Sequence, residues 1–406
     1  MSRVVITGMG IYSSLGENKR EVRDALFHGR SGIIFRPERK ALGYRSGLTG
    51  WVKRPNLKDD LSRRSRIMLA EQGEYAYVAT KEALADAGLT EEDIAANETG
   101  IIYGNDTSAK AVIDGIDILR ARKDTMLIGS GSVFQVLNST VTMNLSTIFK
   151  LKGINFSVSA ACASGSHAIG LGYMFIKQGL QQRILCGGAQ EVNDFAMPNF
   201  DALGTFSLRE NEPAKASRPF DKNRDGLVPG GGAATVVMES LESAQVRGAD
   251  IIAEVTGYGF SSNGEHISNP SVDGQIRSIE RALADAGITA GTIEYINAHA
   301  TSTPAGDSSE AAAIHKVFGG QTPVSSTKSM TGHECWMAGA SEVVYSLLMM
   351  RNNFMAPNIN FEEPDGHSAK INILRETKQQ SFDTLLSNSF GFGGTNSSLV
   401  LQKWKS

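Results

Sequence analysis

Short apolar runs rich in β-branched residues alternate with longer stretches of helical periodicity along the whole chain. The runs that predict strands lie at residues 4–7, 100–104, 154–160, 183–188 and 397–404. Helical spacing predicts one helix near 68–87 and another directly after Cys162. This alternation is typical of an α/β protein with a largely buried sheet.

Three segments in the first half of the chain have counterparts in the second half. The pairs are VITGMGIYSSLG (5–16) with EVTGYGFSSNG (254–264), EALADAGLT (82–90) with RALADAGIT (281–289), and GGGAATVVME (230–239) with GGTNSSLVLQ (393–402). A single match could reflect a common helix ending with a glycine cap, but the three pairs keep the same order. We therefore predict a duplicated α/β unit whose first copy carries insertions.

Composition narrows the class of protein. A length of 406 residues suggests two or three domains. The net charge of −3 gives no indication of nucleic-acid binding, because such proteins usually carry an excess of basic residues. Only three cysteines occur, which argues for a reducing compartment and against a disulfide framework. The first residues lack the order of a signal peptide, and no uncharged apolar run reaches the ~18 residues of a membrane helix. We expect a soluble cytoplasmic protein that contacts neither membrane nor nucleic acid.

Cys162 lies in a turn of small residues between a predicted strand and a long predicted helix, in the segment NFSVSAACASGSHAIGLGYMFIKQG (155–179). The free N–H groups and the positive dipole end of that helix favour a thiolate, and such a position lowers a thiol pKa. The alternative is a buried cysteine that acts as a small hydrophobic residue. From this segment alone the two interpretations are equally weighted.

His299 lies at the carboxyl end of a second predicted strand, in IEYINAHATSTPAGDSSE (293–310), and is followed by Thr301 and Thr303. Open α/β sheets bind ligands at such strand ends. Taken alone, this histidine is better explained as a capping or core residue.

Lys328 and His333 occupy a third strand, turn and helix segment, PVSSTKSMTGHECWMAGASE (323–342). A neutral imidazole at this helix start can donate from Nε2, and the helix dipole disfavours its protonation. A structural interpretation pairs Lys328 with Glu310 or Glu342 beside a capping histidine. The structural and catalytic interpretations are compatible.

Glycine-rich turns allow two further interpretations. In SNSFGFGGTN (387–396) the Phe392 N–H can serve as an oxyanion donor, although a tight turn needs the same glycines. The N-terminal GMGIYSSLG has Ser13 in place of the third glycine of a dinucleotide fingerprint, so it indicates a structural turn. Metal binding is not expected, because Cys162 and His167 have no paired ligands at closed-site spacing.

Taken together, these segments resemble the β-ketoacyl-acyl-carrier-protein synthases, the elongating type I/II group of the thiolase-like superfamily, with type I slightly closer. The motifs that carry the resemblance are VVITGMG, AACASG, RPFDKNRDGLVPGGGA, HATSTPAGD, KSMTGH and SNSFGFGGTN. The resemblance spans essentially the whole chain. It implies a thiolase-like five-layer αβαβα fold built from two duplicated halves, 1–250 with the nucleophilic cysteine and 251–406 with the histidines and the glycine-rich loop.

The resemblance also implies roles for individual residues. Cys162 would carry the acyl chain as a thioester, the Cys162 and Phe392 amides would form an oxyanion hole, and His299 and His333 would stabilise the malonyl enolate. The residues implied in support are Thr301 and Thr303 at the pantetheine arm, Phe390 at the substrate, the Phe392 side chain as a gate, and Lys328 ordering the region through Glu310, with Glu342 as further structural support. No cofactor is implied beyond the phosphopantetheine that arrives on the carrier protein.

The implied partners are an acyl carrier protein, malonyl and acyl thioesters, and a second subunit, normally an identical one, with a heterodimer left open. Two local basic clusters, 54–66 and 120–123, are candidates for carrier docking, although ordinary solvated charged faces explain them equally well. We expect decarboxylating condensation in fatty acid elongation. The alternatives are a type II polyketide or polyene ketosynthase with an unusual primer, and a non-catalytic chain-length partner subunit.

Two segments depart from the family pattern. ECWMAG (334–339) follows KSMTGH where the family has a small-residue run such as SLGAAG, and GNDTSA (104–109) replaces a glycine-richer stretch. Trp336 and Met337 therefore add bulk close to His333. This bulk either reshapes the acyl pocket or fills a neighbouring void.

Overall fold

The computed structural model describes residues 1–405, and each predicted strand and helix named above is present in it with adjusted ends. The strands are β1 (Val4–Ser13), β2 (Ile33–Phe35), β3 (Leu48–Gly50), β4 (Thr99–Gly104), β5 (Asn155–Val158), β6 (Arg183–Gln190), β7 (Gly232–Ser240), β8 (Ala253–Ser262), β9 (Tyr295–Asn297), β10 (Pro323–Ser325), β11 (Asn372–Ile373), β12 (Thr384–Phe390) and β13 (Thr395–Lys403). The α-helices are α1 (Lys19–Phe27), α2 (Pro37–Ala41), α3 (Arg63–Arg66), α4 (Glu71–Asp86), α5 (Glu91–Ala96), α6 (Ala109–Arg122), α7 (Ser132–Val136), α8 (Thr140–Ile148), α9 (Ser164–Lys177), α10 (Pro198–Ala202), α11 (Leu241–Val246), α12 (Val272–Ala286), α13 (Pro304–Phe318), α14 (Lys328–Thr331) and α15 (Ala338–Arg351).

The strand order on one side of the short β1–β8 pairing is repeated on the other side. Within residues 1–405 the order is β11-β10-β9-β12-β13-β8-β1-β7-β6-β4-β5, while β2 and β3 form a separate ribbon. Strands β1 and β8 share only three residue pairs, from Val4–Val255 to Ile6–Ala253. On either side of them, β7, β6, β4 and β5 match β13, β12, β9 and β10 in both order and direction. The predicted duplication is therefore confirmed.

The sheet consists of two halves that meet at β1 and β8, here called the first and second half-sheet. Helices cover the outer face of each half-sheet and fill the space between the two. The central layer is α9 with α15, and α15 is buried on every side from Ala338 to Met350, as an all-round packed helix should be. Helices α4 and α8 pack on the outer face of the first half-sheet, whereas α12 and α13 pack on the second. Three helical layers and two sheet layers make the predicted thiolase-like five-layer αβαβα fold.

Repeated glycines let strand and helix approach equally closely in the two halves. A Cβ on Gly10 would lie 2.0 Å from the Ala79 carbonyl oxygen, and one on Gly259 would lie 1.9 Å from the Ser278 carbonyl oxygen. Only glycine fits such an approach. The repeated TG-x-G and ALADAG segments thus form one packing unit used twice, β1 on α4 and β8 on α12, and the glycines serve packing.

None of the helices within residues 1–405 combines the length and apolar character that a bilayer crossing requires. The division at residue 250 stays a prediction, because the central core is shared by elements from both sides of it.

Candidate active site

Cys162 is presented by a tight turn between β5 and α9. Residues Ala161–Ala163 form a single 3₁₀ turn, and Ala161 has a φ of +46°, a left-handed conformation that alanine rarely adopts. The Ser164 hydroxyl holds the turn, because it accepts from the Ala160 N–H at 2.8 Å and donates to the Ala161 carbonyl at 2.6 Å. Burial raises the pKa of the nearby Asp106 carboxyl, and the Ala161 N–H of this turn opposes that shift. Strain at such a position is typical of a functional turn.

Burial, rather than the helix end, dominates the acidity of Cys162. The side chain is only 5% exposed, and burial raises the pKa of the thiol to about 12, with Lys328, the Phe392 N–H and its own N–H opposing the shift and Asp106 adding to it. The expectation of a lowered pKa is therefore wrong. The loss of water on burial outweighs the neighbouring charge and N–H groups that oppose the shift.

Two histidines from the second half converge on this sulfur. His333 Nε2 lies 3.0 Å from Cys162 Sγ, and the His299 and His333 rings stand nearly perpendicular, at 89°, with centroids 5.4 Å apart. The Cys335 N–H approaches His333 Nδ1 at 3.4 Å, which assigns the ring proton to Nε2. His299 Nδ1 is buried without a hydrogen-bond partner within residues 1–405. Both imidazoles can thus direct N–H groups at a ligand beside the sulfur.

Both imidazoles are neutral at physiological pH. Burial and the charge of Lys328 hold the pKa of His333 well below its usual range, and burial, Lys328 and His333 do the same for the pKa of His299. The predicted neutrality of His333 is confirmed, although burial and Lys328 are its principal causes.

Buried carboxylates fix the loop that carries His299. Glu310 accepts from the His299 N–H at 2.9 Å and from the Ala300 N–H at 2.6 Å, and Asp307 accepts from the Thr301 N–H at 3.0 Å. Burial raises the pKa of Glu310 to about 7, against these hydrogen bonds and the charge of Lys328. The histidine therefore owes its position to main-chain contacts made by α13.

Lys328 pairs with Glu342. Its ammonium hydrogen-bonds the Glu342 carboxylate, and both side chains are 1% exposed. The sequence interpretation that Lys328 acts through Glu310 is corrected, since the carboxylate of Glu310 is occupied by the main chain. Lys328 does not line the cavity described below, so it is a positioning and electrostatic residue.

The glycine-rich loop closes the site from the end of β12. A Cβ on Gly391 would lie 3.0 Å from the Ala160 oxygen and 3.2 Å from the Cys162 nitrogen, so this loop touches the cysteine turn. The Phe392 N–H points at the Cys162 sulfur, and the Phe390 ring lies 5.9 Å from the His299 ring. The two backbone N–H groups predicted as oxyanion donors therefore face one atom.

A cavity of about 480 Å³ connects these groups to the surface. Its inner end is formed by Cys162, His299, His333, Phe390 and Phe392, and Thr301 and Thr303 lie along its wall. Further out it is lined by Leu203, Gly204, Ile267, Ser268, Asn269, Pro270 and Pro304. Within residues 1–405, no three His, Cys, Asp or Glu side chains are grouped in a way that suits a metal ion.

Sequence reasoning missed Phe200. Its ring stacks on Phe392 at 5.6 Å and 16°, and it also meets Trp336 at 6.3 Å, so it links the glycine-rich loop to the unusual segment 334–339. It lies on the short helix α10, where no periodic pattern marks it. The Trp336 indole N–H donates to Thr107 Oγ1 at 3.3 Å, which joins the two segments that depart from the family pattern.

Comparison with known families and proteins gives concordant matches. Residues 1–244 match the model of the β-ketoacyl synthase N-terminal domain, and residues 252–362 match that of the C-terminal domain. A 3-oxoacyl-[acyl-carrier-protein] synthase 1 of Haemophilus influenzae is 43% identical over 408 residues, covering 100% of both chains.

Solved structures agree with these matches. A β-ketoacyl synthase from Burkholderia phymatum shares 37% identity at a TM-score of 0.95, and a ketosynthase of a type II polyketide synthase, solved in complex with its acyl-carrier protein, shares 28% at 0.89. Both similarities cover 100% of the two chains.

Proposed function

Since the chain belongs to the β-ketoacyl synthase family, we propose that it is a 3-oxoacyl-[acyl-carrier-protein] synthase of fatty acid elongation. It condenses an acyl group held on Cys162 with a malonyl group held on a carrier protein, and CO₂ is released. The observation that carries the proposal is the 3.0 Å approach of His333 Nε2 to Cys162 Sγ, with His299 beside it at the inner end of a cavity.

In the first step the acyl group moves to Cys162. The sulfur attacks the thioester carbonyl of the acyl carrier, a C–S bond forms, and the carrier's thiol leaves with the proton that Cys162 loses. Because the Cys162 pKa is raised to about 12, the proton leaves only as the attack proceeds, with the His333 Nε2–H and the Phe392 N–H stabilising the developing thiolate. Acylation then frees His333 from the sulfur.

In the second step the malonyl thioester loses CO₂. Its carbonyl oxygen accepts from the Nε2–H groups of His299 and His333, which stabilise the enolate formed as the C–C bond to the carboxylate breaks. Neutral donors suit this step, because an imidazolium would also hold the departing carboxylate and stabilise the reactant. The His299 ring lines the cavity, and its Nε2 makes no hydrogen bond within residues 1–405, so that nitrogen is available to a substrate oxygen.

In the third step the enolate carbon attacks the acyl–Cys162 carbonyl. The oxyanion accepts from the N–H groups of Cys162 and Phe392, and the sulfur leaves as the new C–C bond is complete. One such donor is worth about 10²–10³ in kcat. The product is a β-ketoacyl carrier, and Cys162 recovers its proton from solvent.

The cavity supports a substrate that arrives on a carrier protein, and the proposal needs no cofactor beyond the phosphopantetheine of that carrier. The cavity is lined from Leu203 and Ile267 to Cys162 and suits an extended phosphopantetheine arm, with the Thr301 and Thr303 hydroxyls, themselves 3.0 Å apart, placed for amides of that arm. Malonyl and acyl thioesters are then delivered in turn by the same carrier protein.

Exposed arginines support docking of an acidic carrier. Arg63, Arg64 and Arg122 have no ion-pair partner within residues 1–405, whereas Arg54 is neutralised by Glu74 at 2.5 Å. Arg63→Glu with Arg64→Glu should raise KM for acyl carriers at least tenfold and leave a free acyl-pantetheine unaffected. An unchanged carrier KM would remove this docking surface.

We propose that the chain works as a homodimer in the cytoplasm. Strand β5 ends the sheet with an unpaired edge, which a second β5 could extend. Apolar side chains are exposed on α6 and on α7 with the residue that follows it, at Val112, Ile116, Val133, Phe134 and Leu137. Sedimentation of wild type and Phe134→Asp distinguishes the states: a wild-type monomer contradicts the proposal.

Intact-protein mass spectrometry tests the function. Wild type incubated with acyl carriers should gain one acyl mass, which Cys162→Ala should not gain, and malonyl carrier should remove it as β-ketoacyl product. His299→Ala should accept the acyl group and fail to condense it. If no acyl carrier adds mass to wild type, the function is wrong and the chain is better explained as a non-catalytic chain-length subunit.

A further inference from the structure

Trp336 is packed directly behind the nucleophile. It is 5% exposed and shares a buried cluster with Cys162 and Cys335, against which Met197 and Phe200 pack. Cys335 Sγ lies 3.3 Å from Met197 Sδ, so the cluster is closely filled. The cavity that opens at Cys162 is lined by Phe200 on this side and does not reach Trp336.

The duplication explains why Trp336 faces Cys162. Cys335 has a φ of +49°, and Ala161 has a φ of +46°. Ala161 is followed by Cys162, which lies two residues before the start of α9. In the same way, Cys335 is followed by Trp336, which lies two residues before the start of α15. Trp336 is therefore the counterpart of the nucleophile in the second half, and the two turns pack against each other.

The indole is fixed in place. Its N–H donates to the hydroxyl of Thr107 at 3.3 Å, and its ring meets Phe200 edge-on at 6.3 Å. A buried indole needs such a partner for its N–H. Thr107 precedes α6 by two residues, so Trp336 connects the cluster around Cys162 to the segment that leads into α6.

Condensation needs two spaces at Cys162 simultaneously. While the acyl group is attached to sulfur, the malonyl arm must occupy the cavity, so the acyl chain has to extend elsewhere. Outside the cavity, Cys162 packs against the buried side chains of Cys335 and Trp336, with Met197 next to them. A long chain can enter only by displacing these closely packed side chains.

We propose that Trp336, anchored by Thr107, is the end wall of the acyl site and restricts this enzyme to short acyl thioesters. The inference rests on the proposed function and names its substrate class. One extra methylene against a rigid wall typically changes kcat/KM by 10-fold or more. Acetyl and butyryl carriers should therefore be preferred to decanoyl carrier by about 10²-fold or more.

The test measures acylation rates of Cys162 with carriers bearing acetyl, butyryl, hexanoyl and decanoyl groups, by quenched mass spectrometry. Trp336→Ala should raise the decanoyl-to-butyryl rate ratio at least tenfold, and Trp336→Phe should raise it less. Trp404→Ala, at a tryptophan stacked on Arg3 far along the chain, is the matched control and should keep the wild-type ratio.

The outcomes separate the two claims. Equal wild-type rates for decanoyl and butyryl carriers, or a Trp336→Ala ratio equal to that of wild type, would overturn the end wall and leave the proposed function intact. Absence of acylation by every carrier would overturn the proposed function. If Trp336→Ala does not fold, the wild-type profile and Trp336→Phe still decide the matter.

Discussion

Removing the buried charge of Lys328 is the perturbation with the clearest expected consequences. Lys328 and Glu342 are each 1% exposed, the Lys328 ammonium donates to Glu342 Oε1, and Glu342 Oε2 has no hydrogen-bond partner within residues 1–405. Lys328→Met therefore leaves a buried carboxyl unpaired, which typically reduces stability by about 3–5 kcal/mol. With an unfolding entropy of about 2.1 cal/mol/K per residue, about 4 kcal/mol corresponds to a Tm lower by about 5 °C for this length.

The double variant Lys328→Met/Glu342→Leu separates stability from catalysis. Replacing a buried ion pair by apolar side chains is often neutral, so most of the lost Tm should return. The catalytic effect should remain, because the lysine charge lowers the pKa of both His299 and His333. Without that charge the imidazoles become protonated at higher pH.

The assay is the pH profile of condensation together with calorimetry. In wild type the acid limb due to the histidines should lie well below pH 6.5, and in both lysine variants it should move upward toward 6.5. A double variant with recovered Tm and the wild-type acid limb would refute the electrostatic role of Lys328. A single variant as stable as wild type would refute the reasoning about the buried pair.

Three further outcomes follow from the site. Iodoacetamide should alkylate Cys162 at a rate that rises through pH 9 without a plateau, since its pKa is about 12, and a plateau near pH 7 would show an activated thiolate. Burial raises the pKa of Glu334 from 4.5 to about 7, so the free energy of unfolding should fall as the pH rises between those values. Urea unfolding across this pH range should show a total fall that is smaller by about 3 kcal/mol in Glu334→Gln than in wild type, and an equal fall in both proteins would contradict this. Gly391→Ala should lower kcat about 10²-fold by pushing the Phe392 N–H away, whereas Gly366→Ala, whose Cβ meets open space, should not; equal effects would contradict the oxyanion role.

Local sequence was sufficient for the duplicated fold, whereas the candidate site residues required all the motifs taken together. Gly10 and Gly259 recur because each half needs the same close strand–helix approach. Cys162 and His299 each have a structural explanation that is as good or better when their segments are taken alone, and only the combined motifs and the family resemblance single them out together with His333.

Long-range packing determined what the sequence left open. Glu310 and Glu342 are equally plausible partners of Lys328 in the sequence, and only the fold assigns the first to the main chain and the second to the lysine. The acidity of Cys162 depends on burial by residues from both halves. Likewise, the Thr107–Trp336 contact joins positions far apart in the chain, so no local pattern marks it.

The stoichiometry of a single turnover tests the central claim most directly. Wild type acylated on Cys162 is separated from free carrier and mixed with malonyl carrier labelled in its free carboxyl group. We predict one labelled CO₂ and one β-ketoacyl carrier for each acyl group that leaves Cys162. Release of labelled CO₂ without loss of the acyl group, or loss of the acyl group as free acid, would contradict a decarboxylating condensation at this cysteine.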